Sequence, residues 1–401
     1  MKYLALDSLI EKPISGEWGT GDGDINVIRS ANFTNHGRIN FDKIVARNIP
    51  DDKVRTKKLQ EEDIIIEKSG GSPTQPVGRV VFFDKKGTYL CSNFTSILRP
   101  LKQYVAPKYL HYILFCNHKF GFVEKYQNKT TGIINLQLPK YLKNTKIPLP
   151  PLAEQQKIAS ILDAADSLRQ KDQQLIEKYT ALSQSLFLEM FGDPVSNPKK
   201  WAIKAFGNSL IDIVGGKSVG GEQRQIKDNE KAVLKISAVT TGIFNSLEYK
   251  VVEDFEVPDI LVHPLKGDLL FSRANTRELV GATCIVDEDY EYLFLPDKLW
   301  RLDLKLEMVC NWYLRFLLTH DGFRENLRKV ATGTSGSMLN ISKAKLKQLK
   351  ILLPPIELQN QFAERIQLIE AQKKQAQASL EKSAALFNSL LQRAFKGELT
   401  A

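Results

Sequence analysis

Apolar residues recur with a seven-residue period in two stretches of the chain. In the first, Ile158, Ala165, Asp172, Tyr179 and Leu186 form one series, and Ile161, Leu168, Leu175 and Leu182 form a second. In the other, Phe362, Ile369, Ala376, Ser383 and Leu390 repeat the first series, with Ile366, Lys373, Leu380 and Phe387 beside them. Four or more heptads predict two long helices that cover each other as a coiled coil. Proline pairs, Pro150-Pro151 and Pro354-Pro355, precede them, where a missing N–H does no harm. Gly192 and Pro194 predict the first stop, and Gly397 the second. A helix of about 39 residues is a rod near 58 Å long, more than a small module can cover. The competing arrangement is two separate amphipathic helices, each packed on its own module. Each seam carries one charged residue near its middle, Asp172 and Lys373. In an antiparallel pair they fall within about a turn of each other and are expected to meet and hold the register.

The rest of the chain alternates short β-rich runs with Gly, Asn, Thr and Pro turn signals. It is also written twice. IPLPPLAEQQKIASIL (Ile147 to Leu162) returns 204 positions later as ILLPPIELQNQFAERI (Ile351 to Ile366). VIRSANFTNHGRI (Val27 to Ile39) resembles VLKISAVTTGIF (Val233 to Phe244). EDIIIEKSGGSPTQPVGRVVFF (Glu62 to Phe83) resembles GDLLFSRANTRELVGATCIV (Gly267 to Val286). In both, an acid opens an apolar strand and a Val-Gly pair starts the next. YLHYILF (Tyr109 to Phe115) parallels YLRFLLT (Tyr313 to Thr319), and KTTGIINL (Lys129 to Leu136) parallels TSGSMLNI (Thr334 to Ile341). This is duplication of a whole module, too long in period for a solenoid. It predicts an α+β protein with pseudo-twofold symmetry: two similar mixed α/β modules separated by two long antiparallel helices. The boundaries read as 1–146 for the first module, 147–193 for the central helix, 194–350 for the second module and 351–401 for the C-terminal helix.

The 401 residues carry a net charge of +10, spread over both halves, which favours a polyanionic partner. No apolar run approaches the roughly 18 residues that a membrane span needs. MKYLALDSLIEKPISG, broken by Asp7 and Glu11, is not read as a signal peptide. Cys91, Cys116, Cys284 and Cys310 are scattered, as in a reducing cytoplasm, with neither disulfide nor zinc spacing. Catalytic patterns are not found. GTGDGD (Gly19 to Asp24) does not link a strand to a helix as a phosphate loop would, and Glu248-Tyr249-Lys250 lacks an upstream nuclease partner. The five histidines have no metal-ligand spacing. Neither a Walker A sequence nor the Asn/Asp-Pro-Pro-aromatic signature of amino-methyltransferases is present. The expectation is a chain that is not an enzyme and binds no metal or cofactor itself.

What remains is cations and amides on loops. Lys68, Ser69, Ser72, Thr74, Gln75 and Arg79 lie in one loop, and Arg273, Asn275, Thr276 and Arg277 in its duplicate. Arg and Lys suit guanine edges, and Asn and Gln suit adenine. Arg29, Asn32, Lys125, Asn128, Lys129, Lys217, Arg224, Lys235, Arg324 and Arg328 are candidates to hold phosphates.

At PLPPLAEQQKI, at SLFLEMFGDPVSNPKKW (Ser185 to Trp201) and at QRAFKGEL (Gln392 to Leu399), the chain resembles the DNA specificity subunits of type I restriction-modification systems. The likeness spans essentially the whole length. It implies two target-recognition domains, each reading half of a split, asymmetric site on double-stranded DNA. It also implies paired helices that fix the gap and bind two methyltransferase subunits. Those partners bring S-adenosylmethionine and methylate adenine N6, and translocating endonuclease subunits can join. Leu358 stands where the first repeat has Glu154, so partner contacts do not transfer one-to-one onto the second helix. The rival readings are a stand-alone, non-catalytic DNA-bridging protein and an enzyme with a cryptic site.

Overall fold

The computed structural model describes residues 2–128, 133–333, 338–396 and 398–399. It divides into two units, residues 1–173 with 378–401, and residues 174–377. Each unit is a mixed α/β module joined to half of each long helix.

In the first module, Ile64–Glu67 is flanked by Val80–Phe82 and Thr95–Leu98, with Ile14–Ser15 outermost, in an antiparallel sheet. A second sheet runs Val45–Asn48, Thr20–Ile28, Tyr89–Cys91, its last pair parallel. Helix α1 (Pro107–Lys119) lies against the first sheet, with Leu110, Ile113 and Leu114 buried beside Ile64, Ile66 and Leu98. The second module repeats this order. Leu210–Gly215, Leu299–Leu304, Leu269–Ser272 and Thr283–Ile285 form the four-stranded sheet. Tyr249–Val252, Lys231–Leu234 and Leu293–Phe294 form the three-stranded one, again with one parallel pair. The duplication read from scattered phrases is thus a duplication of topology.

The long helices are α2 (Leu152–Phe191) and, after the short α3 (Asn311–Thr319) of the second module, α4 (Ile356–Lys396). In each module the first and last strands pair, Lys2–Ala5 with Lys146–Leu149 and Ala202–Ala205 with Lys350–Leu353, so the chain closes where the helix begins. There the repeated phrase does its work. Gln155 is fully buried. Its Oε1 accepts from the Ala106 N–H at 2.9 Å, and its Nε2 donates to the carbonyls of Tyr104 and Pro150 at 3.3 and 2.9 Å. Gln359 makes the same three bonds with Cys310, Met308 and Pro354 at 2.9, 3.2 and 2.9 Å. The Tyr109 hydroxyl donates to the Pro148 carbonyl, and Tyr313 to Leu352. Helix α2 ends before Gly192, whose φ of +77° suits a residue without Cβ. The Lys199 ammonium and the Trp201 indole then take the last carbonyls, of Met190 and Phe191, at 3.0 and 2.8 Å. Gly397, the expected second stop, lies outside the described residues.

The seam departs from the heptads at one series. Leu168, Leu175 and Leu182 are 45%, 43% and 50% exposed, whereas Leu162, Arg169 and Ser183, one position later, are buried. The second series of α2 therefore lies four residues after the first, not three, as it does in α4, where Phe362 and Ile366 are both buried. Polar residues on the true stripe, Asp166, Arg169 and Ser183, hid it behind the leucines. The rods are also not left to cover each other alone. Ile158, Ala159, Leu162 and Ala165 enter the first module's core with Phe387, Leu391 and Ala394. Phe187, Met190 and Phe191 enter the second's with Phe362, Ala363 and Ile366.

The expected meeting of Asp172 with Lys373 is replaced by another bond. Asp172, 6% exposed, accepts from the hydroxyls of Ser379 and Ser383 at 3.0 and 2.7 Å, about two to three turns beyond Lys373 along α4. Lys373 belongs to the other unit and lines a cavity there.

Replacing Gln155 by Ala leaves one buried N–H and two carbonyls short of a partner, a loss of about 2–4 kcal/mol. Urea denaturation with a probe in each module should show Gln155→Ala weakening the first unit and Gln359→Ala the second. Unchanged unfolding in both variants would remove this clasp from the account.

Candidate nucleic-acid interface

In the first module two segments singled out from the sequence come together. The turn after Thr20–Ile28 and the loop after Ile64–Glu67 wall a cleft of about 470 Å³, lined by Ser30, Phe33, Thr34, Asn35, Gln75 and Arg79 among others. Its base is an ion pair. Arg79 meets Glu67 through two bonds of 3.0 and 2.8 Å and donates onward to the carbonyls of Ser30 and Phe33 at 3.1 and 3.4 Å. Both side chains are nearly buried and most of the Arg79 N–H groups are engaged, so Arg79 organises the cleft. Asn32 is likewise structural: 2% exposed, its amide is spent on the carbonyls of Asn40 and Lys43 and on the Arg29 N–H. Arg29 itself reaches the Lys43 carbonyl at 3.4 Å.

Gln75 stands exposed on the rim, on a tight turn in which Ser72 and Gln75 exchange backbone bonds of 3.0 Å and the Ser72 hydroxyl lies 3.2 Å from that of Thr74. Ser69–Gly71 pairs with Ile134–Leu136, itself paired with Gln127–Asn128, and the Ser69 hydroxyl bonds to Asn135. Exposed Asn128 and Lys125 are therefore brought to the same edge, Lys125 near the Tyr126 ring at 5.2 Å. Lys68 donates to the Ser15 hydroxyl, and burial lowers its pKa. Lys129 lies outside the described residues. The Val-Gly pair has a steric cause. Gly78 has a φ of +102°, and a Cβ there would sit 2.7 Å from the Val123 side chain.

The second module keeps the strand topology, with a loop two residues shorter, and changes the side chains. Ala274–Asn275 pairs with Leu339–Asn340, as Ser69–Gly71 pairs in the first. Ser272 and Ala282 stand where Glu67 and Arg79 stand. Arg273 bonds to the carbonyl and carboxylate of Asp297, both at 2.7 Å, and its guanidinium lies 5.7 Å from the Trp300 ring. Asn275 Oδ1 accepts from the Thr276 N–H. Arg277 is the open cation of this loop, its side chain 67% exposed and 3.8 Å from Glu325. Arg328 bonds to the Arg277 carbonyl and pairs with Glu325, and Arg324 bonds to the Glu278 carbonyl. Lys217 is exposed. Arg224 is engaged by Glu230 through two bonds of 2.8 Å, which hold the Glu230 carboxyl down to about 2. Lys235 pairs with Glu248 at 2.8 Å and lowers its pKa, which leaves Glu248 a pairing role.

The side chains left open for a ligand are thus Gln75, Lys125, Lys217 and Arg277, a cation-and-amide set suited to phosphate and base edges. Among the described residues no group of three or more His, Cys, Asp and Glu could hold a metal ion, and no helix is long and apolar enough to cross a membrane. The four cysteines are buried and free. Sequence reasoning missed the stacking of Arg47 over Trp18 at 4.1 Å, because Trp18 lies in the loop before Thr20–Ile28 and Arg47 on the strand paired with it.

Arg79→Ala strands the Glu67 carboxylate, 4% exposed, and should cost about 3 kcal/mol or more. Gln75→Ala should change stability by no more than about 0.5 kcal/mol. Thermal unfolding of the two variants checks the contrast, and equal losses would contradict it.

The sequence matches the family described as Type I restriction modification DNA specificity domain over residues 15–178 and 210–382. It is similar to the EcoKI specificity subunit of Escherichia coli K12, with 29% identity over 95% of this chain and 83% of that one. It is also similar to the MjaVIII specificity subunit of Methanocaldococcus jannaschii, with 27% identity over 84% and 81%. The solved type I S subunit from M. genitalium superposes with a TM-score of 0.63 at 15% identity, covering 98% of this chain and 96% of that one, a likeness of fold.

Proposed function

The chain belongs to the type I restriction modification DNA specificity family, and on that premise we propose that it reads a bipartite, asymmetric site on double-stranded DNA, one half-site per module. The observation that carries this is one scaffold used twice with different chemistry at one place. The strand-loop-strand that bears Glu67, Gln75 and Arg79 in the first module bears Ser272, Arg277 and Ala282 in the second. One topology carrying unequal loops and side chains suits two different half-sites. Cations hold phosphates without regard to sequence, and rim side chains such as Gln75 and Arg277 discriminate bases.

Recognition is the chain's own contribution, and chemistry belongs to its partners. Two methyltransferase subunits carrying S-adenosylmethionine bind the helices, and endonuclease-translocase subunits join them in the cytoplasm. Leu168, Leu175 and Leu182, exposed at heptad spacing on α2, offer an apolar stripe of the kind that partner helices cover. Co-purification from native cells separates this from a stand-alone DNA-bridging protein, which would arrive without a methyltransferase.

Exchanging residues 1–145 for another member's first module should change one half of the methylated motif, with residues 200–346 governing the other. Gln75→Ala or Arg277→Ala should relax one or two base pairs within its own half, each worth about 1–3 kcal/mol. Sequencing of methylated adenines reads both results. A folded exchange variant that altered both halves would defeat the two-reader scheme.

A further inference from the structure

Where the second module meets its share of the long helices there is a cavity of about 360 Å³. This is at the small end of ligand pockets, about 300–1,000 Å³. Three permanent cations line it, Arg315, Arg324 and Lys373, with the hydroxyls of Thr180, Thr240 and Thr283. His320 and two carboxylates, Asp321 and Glu370, also face it.

The internal duplication supplies a comparison. Positions 204 residues earlier place Lys108, Tyr112, Asp166 and Arg169 where the second module has Trp312, Phe316, Glu370 and Lys373. In the first module those groups satisfy one another. Asp166 takes Arg38 at 2.6 Å and Arg169 at 2.7 Å, and Asp163 takes the Tyr112 hydroxyl at 2.6 Å and Lys108 at 3.2 Å. In the second module aromatic rings replace the ammonium and the hydroxyl. Neither Lys373 nor Glu370 has an ion-pair partner among the described residues. Three buried polar atoms on the cavity wall, Thr283 Oγ1, His320 Nδ1 and Arg324 Nε, also lack a hydrogen-bond partner among them. Such orphans are rare and costly. Burial and the nearby Arg328 lower the Arg324 pKa, and Asp321 only partly offsets them.

We infer that this cavity binds a phosphate group, presented either by a small anionic molecule or by the DNA backbone. Cations outnumber carboxylates on the wall, and the unpartnered Thr283 hydroxyl adds a neutral donor that a phosphate oxygen can accept, whereas the Thr180 and Thr240 hydroxyls already donate to the Ile176 and Ser237 carbonyls. Arg315 is pre-set for it. Its guanidinium donates to the Gly242 carbonyl at 2.9 Å and lies 5.6 and 5.2 Å from the Trp312 and Phe316 rings, which holds the planar group in place and leaves other N–H groups free. A neutral sugar would meet the hydroxyls and leave the cations uncompensated. A divalent cation would be repelled by them.

Phosphorus NMR and calorimetry of the folded full chain with inorganic phosphate test the site. Saturable binding is expected, weakened roughly 10-fold by Lys373→Gln and unaffected by Lys382→Gln at an exposed lysine. Duplex DNA distinguishes the sources. If the backbone is the occupant, DNA displaces inorganic phosphate and Lys373→Gln lowers the salt slope of DNA affinity by about one. If a small molecule is, phosphate binding persists beside DNA and the slope is unchanged. Two outcomes overturn the inference: no saturable phosphate binding by the native chain together with an unchanged slope, or binding that Lys373→Gln and Arg315→Lys both leave intact. Either can occur while the modules still read their half-sites, so failure here is distinct from failure of the DNA-reading proposal.

Discussion

The fold hangs on a buried side-chain amide used twice. A long helix that starts at the edge of a module leaves backbone groups at the junction without partners. Gln155 answers three of them at once, with one acceptor for the Ala106 N–H and two donors for the Tyr104 and Pro150 carbonyls. No other residue type does this equally well. A carboxylate has no donor, and a leucine would orphan all three groups. Because the amide joins the loop before α1, the first turn of α1 and the approach to α2, it sets the direction in which the helix leaves the module. Gln359 repeats the arrangement, and Tyr109 on α1 and Tyr313 on α3 brace it by donating to the Pro148 and Leu352 carbonyls of the adjoining strands. A chain that needs the same exit twice needs the same phrase twice.

With the exits fixed, the loops are free to diverge. The Val-Gly pairs at 77–78 and 280–281 are held by packing: Gly281, like Gly78, has a positive φ, and a Cβ there would press on Leu327 at 3.0 Å. Side chains a few residues away obey no such constraint. The first module spends a buried Arg–Glu pair on shaping its cleft. The second ties its arginine to an Asp from the turn before Leu299–Leu304 and dispenses with the first pair altogether. Backbone geometry is conserved by sterics while charge is redistributed, a combination that lets one architecture present two different surfaces.

This division explains what could be read in advance. Fold class, helix positions and the duplication were legible because they rest on local signals: periodicity, Pro before helices, Gly after one, and phrases in a common order. The roles of Arg79 and Asn32 were not. As loop residues they look like ligands for DNA, and only the approach of Glu67 to Arg79, and of the Asn40 and Lys43 carbonyls to Asn32, consumes them. Gln75 and Arg277 were placed on open loops, where local composition does decide exposure. The seam of α2 misled for a further reason. Leu168, Leu175 and Leu182 make the more apolar stripe, yet the module buries Asp166 and Arg169 instead, because Arg38 supplies a partner from its own loop.

Those buried charges bear on register. An apolar heptad seam repeats itself every seven residues, so hydrophobic contact alone tolerates a slip by one heptad at modest cost. Asp172 does not. Its carboxylate is satisfied by two hydroxyls one turn apart, Ser379 and Ser383. A slip of seven residues along α4 would set it against positions 372 and 376, a Gln and an Ala, or 386 and 390, both Leu. In the leucine register a buried carboxylate would lose every donor, and in the other it would keep at most one amide. Two neutral hydroxyls bring no second charge to desolvate, which an Asp–Lys pair at the same depth would require. The polar break in the seam therefore opposes wrong pairings more than it strengthens the right one.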